Sequence, residues 1–239
     1  MLPLLLAAAI WSPAPTADPW QYQLQGKVDL SVRAGVYAVD GADTPKRTVR
    51  RIHDRGARAV CYLSAGSYEN WRADRRRFPD RVIGRPLAGW PGERWLDIRS
   101  RGVLLPIMHA RMERCARKGF DAVDPDNVEG YRHPTGFPLS AHHQRRYNRA
   151  LARAAHDLGL AIGLKNDLGQ VRQLVSDFDF AINEQCFQYR ECRRLRPFIR
   201  AGKPVFNVEY KRLRCGRAHG LSFSTIRKRL SLRAWRRTC

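Results

Sequence analysis

The chain has 239 residues, 44 Lys and Arg against 22 Asp and Glu, and a net charge of +22 at neutral pH. With 44% hydrophobic and 10% aromatic residues, it can bury a large core, which excludes a disordered chain, and its length suits one domain rather than two. Nearly all the excess charge is arginine spread along the chain, which reads as a solvated surface; the densest stretch, 212–237, is a candidate patch for anionic surfaces or nucleic acid.

Residues 1–10 are apolar and uncharged, and small residues follow through Ala14 and Ala17. The run is shorter than the roughly 20 residues of a membrane span, so residues 1–17 are expected to be a signal peptide and 18–239 the mature domain, secreted or periplasmic. No other segment is long enough for the membrane. Eight strand-like runs then recur at 20–24, 36–40, 59–64, 94–98, 120–124, 161–165, 179–183 and 204–209. Each is rich in β-branched, aromatic or Leu residues and ends in polar or Gly residues. Helical patterns fall between several of them. Thr44-Pro45 leads into Val49, Ile52 and Ala57, and 104–117 and 170–175 are shorter cases. The stretch 140–158 opens on Ser140 as a cap, carries Tyr147, Leu151, Ala154, Ala155 and Leu158 on one side, and stops at Gly159. Strands alternating with helices imply a parallel sheet, and eight units imply an α/β protein of the closed (β/α)8 TIM-barrel type, as a single domain. An open doubly wound sheet lacks support, because no glycine-rich phosphate loop follows the first strand.

Six cysteines fit an exported protein. Cys186 with Cys192, and Cys215 with Cys239, are the candidate disulfides, the second tying down the C-terminus. Cys61 lies in an apolar run and is expected to be a buried thiol; Cys115 has no evident place. No CxxC spacing points to structural zinc.

In a barrel the chemistry lies at the C-terminal strand ends. Those ends read Asp40, then Ser64 and Gly66, then Asp97, then Asp124 and Asp126, then Lys165 and Asn166, then Glu184, and last Glu209. Six carboxylates and one ammonium on one rim exceed what helix capping needs. Hydrolysis of a glycosidic bond needs two carboxyl groups, one donating a proton and one acting as nucleophile or base. Asp124-Pro-Asp126-Asn127 and Asn183-Glu184-Gln185 supply the best candidates. Asp124 and Asp126 share strand parity, and charges this close raise one pKa, which prepares an acid. Tyr37, Tyr62, Tyr68, Trp71, Trp95, Tyr131, Phe187, Tyr189 and Tyr210 fall at or just beyond strand ends, where flat faces suit sugar rings. The seven His are scattered, and no HExxH or GxSxG occurs. No metal or cofactor is expected.

Several multi-residue stretches stand out in order: Trp20-Gln-Tyr-Gln-Leu24, Val60-Cys-Tyr-Leu-Ser-Ala-Gly66, Tyr68-Glu-Asn-Trp-Arg72 and Glu93-Arg-Trp-Leu-Asp-Ile-Arg99. Gly119-Phe-Asp-Ala-Val-Asp-Pro-Asp-Asn127, Gly163-Leu-Lys-Asn-Asp167, Asn183-Glu-Gln-Cys186 and Val208-Glu-Tyr210 follow. In these stretches the chain resembles glycoside hydrolase family 114, the endo-α-1,4-polygalactosaminidase family with a barrel fold. The resemblance runs over about residues 20–239 and includes the four paired cysteines. It implies hydrolysis of α-1,4-linked galactosamine in secreted polysaccharide, with no cofactor and no required protein partner. Its catalytic Asp falls on Asp124 or Asp126, with Asp124 nearest the strand end, and its catalytic Glu on Glu184. Tyr37, Asp40, Tyr62, Asp97, Lys165, Asn166 and Glu209 would line the pocket, with Trp95, Asn127 and Tyr210 beside them. The bulk charge opposes a cationic polymer at long range, and an acetylated or anionic polymer would match it better; screening beyond about 8 Å leaves the acidic rim free to bind locally. Two readings compete: a non-catalytic carbohydrate-binding barrel, and a basic surface or nucleic-acid-binding protein acting through 212–237.

Overall fold

Alternation along each strand sorts the side chains into two cores, one inside a barrel and one between the barrel and its helices. Residues 10–15 and 19–239 are described in the computed structural model. The expected signal segment, 1–17, lies largely outside them, although Trp11 sets its ring 5.8 Å from that of Phe180.

The strands are β1 (Trp20–Gln23), β2 (Val36–Asp40), β3 (Arg58–Ser64), β4 (Ser67–Glu69), β5 (Ile83–Pro86), β6 (Glu93–Leu96), β7 (Ala122–Asp126), β8 (Ala161–Lys165), β9 (Phe180–Glu184), β10 (Val205–Glu209), β11 (Ser224–Arg227) and β12 (Arg237–Thr238). The helices are α1 (Lys46–His53), α2 (Arg101–Lys118), α3 (Ala141–Asp157), α4 (Val171–Leu174), α5 (Arg196–Arg200) and α6 (Cys215–His219). Strands β1, β2, β3, β7, β8, β9, β10 and β11 are neighbours in that order and all parallel, the expected TIM-type barrel. No helix among the described residues is long and apolar enough to cross a membrane.

Inside the barrel lie Trp20, Tyr22, Val36, Ala38, Val60, Ala122, Ala161, Phe180, Ile182, Phe206, Val208 and Ile226. Gly163 is needed among them, because a Cβ there would stand 2.4 Å from the Phe180 ring. The opposite strand faces, with Val39, Val123, Ile162, Leu164 and Val205, meet the helices. From α2 come Leu104, Ile107, Met108 and Met112, at the three-to-four spacing of one helical face. Each such side chain contributes about 1.5–3 kcal/mol by leaving water. Ser140 caps α3 as expected: its hydroxyl accepts from the His143 backbone, and His143 Nδ1 accepts from the Ser140 backbone, both at 3.2 Å.

Two expectations need correction. The run at 94–98 does form a strand, β6, but it lies antiparallel between β4 and β5 in a separate three-stranded sheet. Its place in the barrel is taken by β11, inside the tract read only as a basic tail. Cys61, expected to be a thiol, is bonded to Cys115. Cys61 faces outward from β3 and Cys115 faces inward from α2, with Cα atoms 6.1 Å apart, within the range a disulfide spans. Cys186–Cys192 and Cys215–Cys239 pair as expected.

The seam between β1 and β11 is closed by side chains and by the C-terminal strap. Trp20 Nε1 donates to Ser224 O at 3.1 Å. Lys228 Nζ donates to Gln21 Oε1 at 2.9 Å and to Arg233 O at 2.7 Å, and Gln21 Nε2 donates to Ala234 O at 2.7 Å. Arg236 donates to Trp20 O and Arg33 O, so part of the tail's positive charge belongs to the fold.

Candidate active site

Strands β7, β8 and β9 end on the inward side chains Asp126, Lys165 and Glu184. The next residue in each case has left-handed backbone: Asn127 at φ 62°, Asn166 at φ 51° and Gln185 at φ 64°. Side chains other than glycine enter that region at a cost, asparagine least. The turn takes the chain off the strand at once and leaves the three functional groups at the rim. Gly66, after β3, lets the turn close: a Cβ there would stand 1.7 Å from Asn127 O.

Lys165 is the centre of the arrangement. Its ammonium lies 2.9 Å from Asp126 Oδ1 and 3.2 Å from Glu184 Oε2. It also donates to Tyr22 Oη at 3.1 Å and sits over the Tyr22 and Tyr62 rings. Burial alone would push this ammonium down, but Asp126, Glu184, Tyr22 and Asp124 outweigh it and hold its pKa well above the ordinary value. Asp126 is only partly buried, its side chain 18% exposed; burial raises its pKa, yet its carboxyl is held below the ordinary value by Lys165, the Asn127 N–H and the Tyr62 hydroxyl. The last two donate at 2.8 and 2.9 Å. Tyr210 donates its hydroxyl to Glu184 Oε1. Asn166 Oδ1 accepts the Glu184 backbone N–H at 3.0 Å.

Asp124 faces inward like Asp126 but one layer deeper. It is fully buried, with the Tyr22 hydroxyl facing it. Burial pushes its carboxyl up to about 7; Lys165 opposes this, while Asp126 and Glu184 add to it. Asp124 therefore lies beneath the floor of the groove that forms above this ring, whereas Asp126 is part of its lining.

Above the ring lies a groove of about 670 Å³. Asp40, Asp43, Glu69, Glu93 and Glu129 join Asp126 and Glu184 in its lining, against only Arg72 and Lys165 as permanent cations. Trp71, Trp90, Tyr189 and Leu230 are 52%, 48%, 59% and 71% exposed, and all four line this groove. Large apolar groups left in water along one acidic channel suit a sugar chain, whose rings stack on aromatic faces.

Of the residues the sequence places at the pocket, Asp40, Tyr62, Trp95, Asn127, Lys165 and Asn166 line the groove, and Tyr210 reaches it through Glu184. Three expected residues do not. Tyr37 has outward parity and donates its hydroxyl to Val32 O at 2.5 Å. Glu209 also points outward, and accepts from the Phe187 backbone at 2.9 Å. Asp97 follows β6 rather than a barrel strand and is chelated by Arg99 at 2.7 and 2.8 Å. Tyr22, Glu69, Arg72, Trp90, Glu93 and His133 also line the groove, although nothing in the sequence marks them as site residues. Several stand in the stretches that carry the family likeness, but four come from the excursion between β3 and α2, whose course no periodicity announces.

The model of glycoside-hydrolase family GH114 matches residues 4–239. The crystal structure of Aspergillus fumigatus Ega3 in complex with galactosamine is similar at a TM-score of 0.91 and 36% identity, over 97% of this chain and 98% of that one. The glycoside hydrolase domain of PelA from Pseudomonas aeruginosa is similar at a TM-score of 0.72 and 12% identity, over 92% of this chain and 98% of that one, a likeness of fold. The search of curated proteins found no match.

Proposed function

The chain belongs to glycoside hydrolase family GH114 and is a glycoside hydrolase; from that we propose that it cleaves α-1,4-linked galactosamine polymers within the chain, with Asp126 as nucleophile and Glu184 as proton donor. The observation that carries this reading is the shared ammonium. Asp126 Oδ1 and Glu184 Oε2 both lie on Lys165 Nζ, at 2.9 and 3.2 Å, so the two oxygens are no farther apart than those distances together. Inverting enzymes hold their carboxyl groups roughly 6.5–9.5 Å apart to admit a water, and retaining enzymes about 5–5.5 Å apart. The shared ammonium supports the retaining arrangement.

In that mechanism Asp126 attacks the anomeric carbon while Glu184 gives its proton to the departing glycosidic oxygen. An ester to Asp126 forms and the bond between sugars breaks. Water then attacks the same carbon, Glu184 takes its proton, and Asp126 leaves as carboxylate. Lys165, Tyr62 and the Asn127 N–H keep Asp126 ionised beforehand, and Tyr210 orients Glu184.

The same reading puts the protein outside the cytoplasm. Three disulfides support an oxidising compartment, and the apolar segment of residues 1–10 supports export with a signal peptide ending near residue 17. The test is the anomeric form of the first product from an α-1,4-galactosamine polymer, followed by NMR. Retention is expected, with loss of new reducing ends in Glu184→Gln. Inversion of configuration, or full activity in Glu184→Gln, would sink the assignment.

A further inference from the structure

A second cleft, of about 620 Å³, lies outside the barrel between the segments that follow β8 and β9. None of its lining residues lines the acidic groove. Its charged lining is Arg172 from α4, with Arg193, Arg194, Arg196 and Arg200 from a short 3₁₀ turn (Cys192–Leu195) and from α5. No carboxylate stands among them. Positions 193, 196 and 200 have the three-to-four spacing of one helical side, so the sequence itself sets three guanidiniums in a row. All five arginines are exposed, and like charges at that spacing oppose helix formation.

Several arginines elsewhere serve the fold. Arg58 pairs with Asp121, Arg99 with Asp97 and Arg149 with Asp177. In the C-terminal tract Arg236 donates to Trp20 O and Arg33 O, and Arg227 and Arg229 lie over the Trp235 ring. In the cleft only Arg194 has an acid, Glu191 at 3.5 Å. The side chains of Arg172, Arg193, Arg196 and Arg200 form no hydrogen bond, ion pair or ring contact among the described residues. Four idle guanidiniums thus converge on one concavity.

A planar guanidinium binds a carboxylate through two parallel hydrogen bonds, so a row of them fits repeated carboxylates. The rest of the lining decides between polyanions. Leu168, Val171 and Pro197 offer aliphatic surface to the C–H faces of sugar rings. No aromatic side chain lines the cleft among the described residues, so the stacking platform that single-stranded nucleic acid uses is missing. We infer that this cleft binds a polyuronate, an acidic polysaccharide with a carboxylate on each sugar, at a site separate from the acidic groove. The groove repels such a chain and the cleft repels a cationic one, so the two sites sort polymers by charge. The Cys186–Cys192 bridge joins them, because its loop carries Tyr189 to the groove and Arg193 follows it at once.

The probe is a fluorescently labelled α-1,4-galacturonate oligomer, followed by anisotropy at about 0.15 M salt, where attraction to the net charge is screened beyond roughly 8 Å. Wild type is compared with the triple variant Arg172→Gln, Arg196→Gln, Arg200→Gln. The control triple variant, Arg47→Gln, Arg50→Gln, Arg51→Gln, removes the same charge from exposed positions on α1. The cleft variant should bind about tenfold or more weakly, the scale of lost charge-assisted hydrogen bonds, and the control within about twofold of wild type. Trp71→Ala, in the groove, should leave uronate binding unchanged. Both triple variants should cut an α-1,4-galactosamine oligomer as wild type does, which also shows that the cleft variant is folded and separates this inference from the hydrolase reading. Equal loss in the two triple variants would mean binding to net charge alone and overturns the proposal, as does a wild type with no saturable binding. Displacement of the probe by single-stranded DNA of equal charge at a lower concentration than unlabelled galacturonate needs overturns it too.

Discussion

Asp124 and Asp126 lie two positions apart on β7, yet only one of them meets the groove. Under the proposed mechanism Asp126 is the nucleophile and Glu184 the proton donor, and removing either kind of group costs about a thousandfold or more in rate, so Asp126→Asn and Glu184→Gln should each lower kcat on that scale. Asp124→Asn, which alters a group below the floor, should cost less than about tenfold. The Asp124 carboxyl also leaves a signature in stability. The folded protein holds its proton up to about pH 7, whereas the unfolded chain releases it near pH 4. A group whose folded pKa is raised in this way costs stability as pH rises from about 4 to about 7, and the cost is constant above that. Asp124→Asn removes it, so the melting temperature of the variant relative to wild type should climb across that window. Thermal unfolding at pH 4.5 and 7.5 measures this, and a gap that does not change with pH would contradict the burial argument. At this scale the sequence was legible to within strand parity. Tyr37 and Glu209 were each assigned to the pocket from the right strand, but their own neighbours Ala38 and Tyr210 are the ones that face inward. A one-residue slip reverses every side chain.

The excursion between β3 and α2 is where element and function part from the barrel plan. Its strand β6 reads as a barrel strand because it has the composition of one, and only its antiparallel partners reveal otherwise. Yet this small sheet and its loops bring Trp71, Trp90, Glu93 and Trp95 to the groove. Trp71 and Trp90 are about half exposed, so they support the fold little and are free to stack on sugar rings. Replacing both with Ala should raise KM on long polymers about tenfold while leaving kcat within about twofold, because stacking away from the bond being broken serves ground state and transition state alike. The deficit should shrink on oligomers too short to reach both rings. A fall in kcat with KM unchanged would instead place these side chains at the reacting sugar. The three left-handed turns after Asp126, Lys165 and Glu184 belong to this scale too. Asn127 and Asn166 hint at them in sequence; Gln185 gives no hint, because nothing local favours glutamine at φ 64°.

Across the whole molecule, seven of the eight barrel strands can be read from apolar runs bounded by polar or Gly residues. The eighth, Ser224–Arg227, is four residues long inside an arginine-rich tract, too short and too charged at its borders to stand out. Its identity comes from tertiary contacts: the ladder to β10, the Trp20 and Lys228 hydrogen bonds across the seam, and the Cys215–Cys239 bridge. The charge pattern likewise has meaning only in three dimensions, as an acidic groove in a protein of net charge +22. The two fields act at different ranges. At about 0.01 M salt the screening length is roughly 30 Å, so an approaching cationic polymer meets the positive whole; at about 0.1 M it is roughly 10 Å, and the repulsion is largely screened while contacts inside the groove persist. For a galactosamine polymer below KM, kcat/KM should therefore rise between those two salt concentrations and decline only when salt weakens contacts within the groove. A fully N-acetylated polymer, being neutral, should show little change. Initial rates over a salt series measure both, and a steady fall from the lowest salt for the cationic polymer would mean that the groove's own field reaches farther than the arginine surface around it.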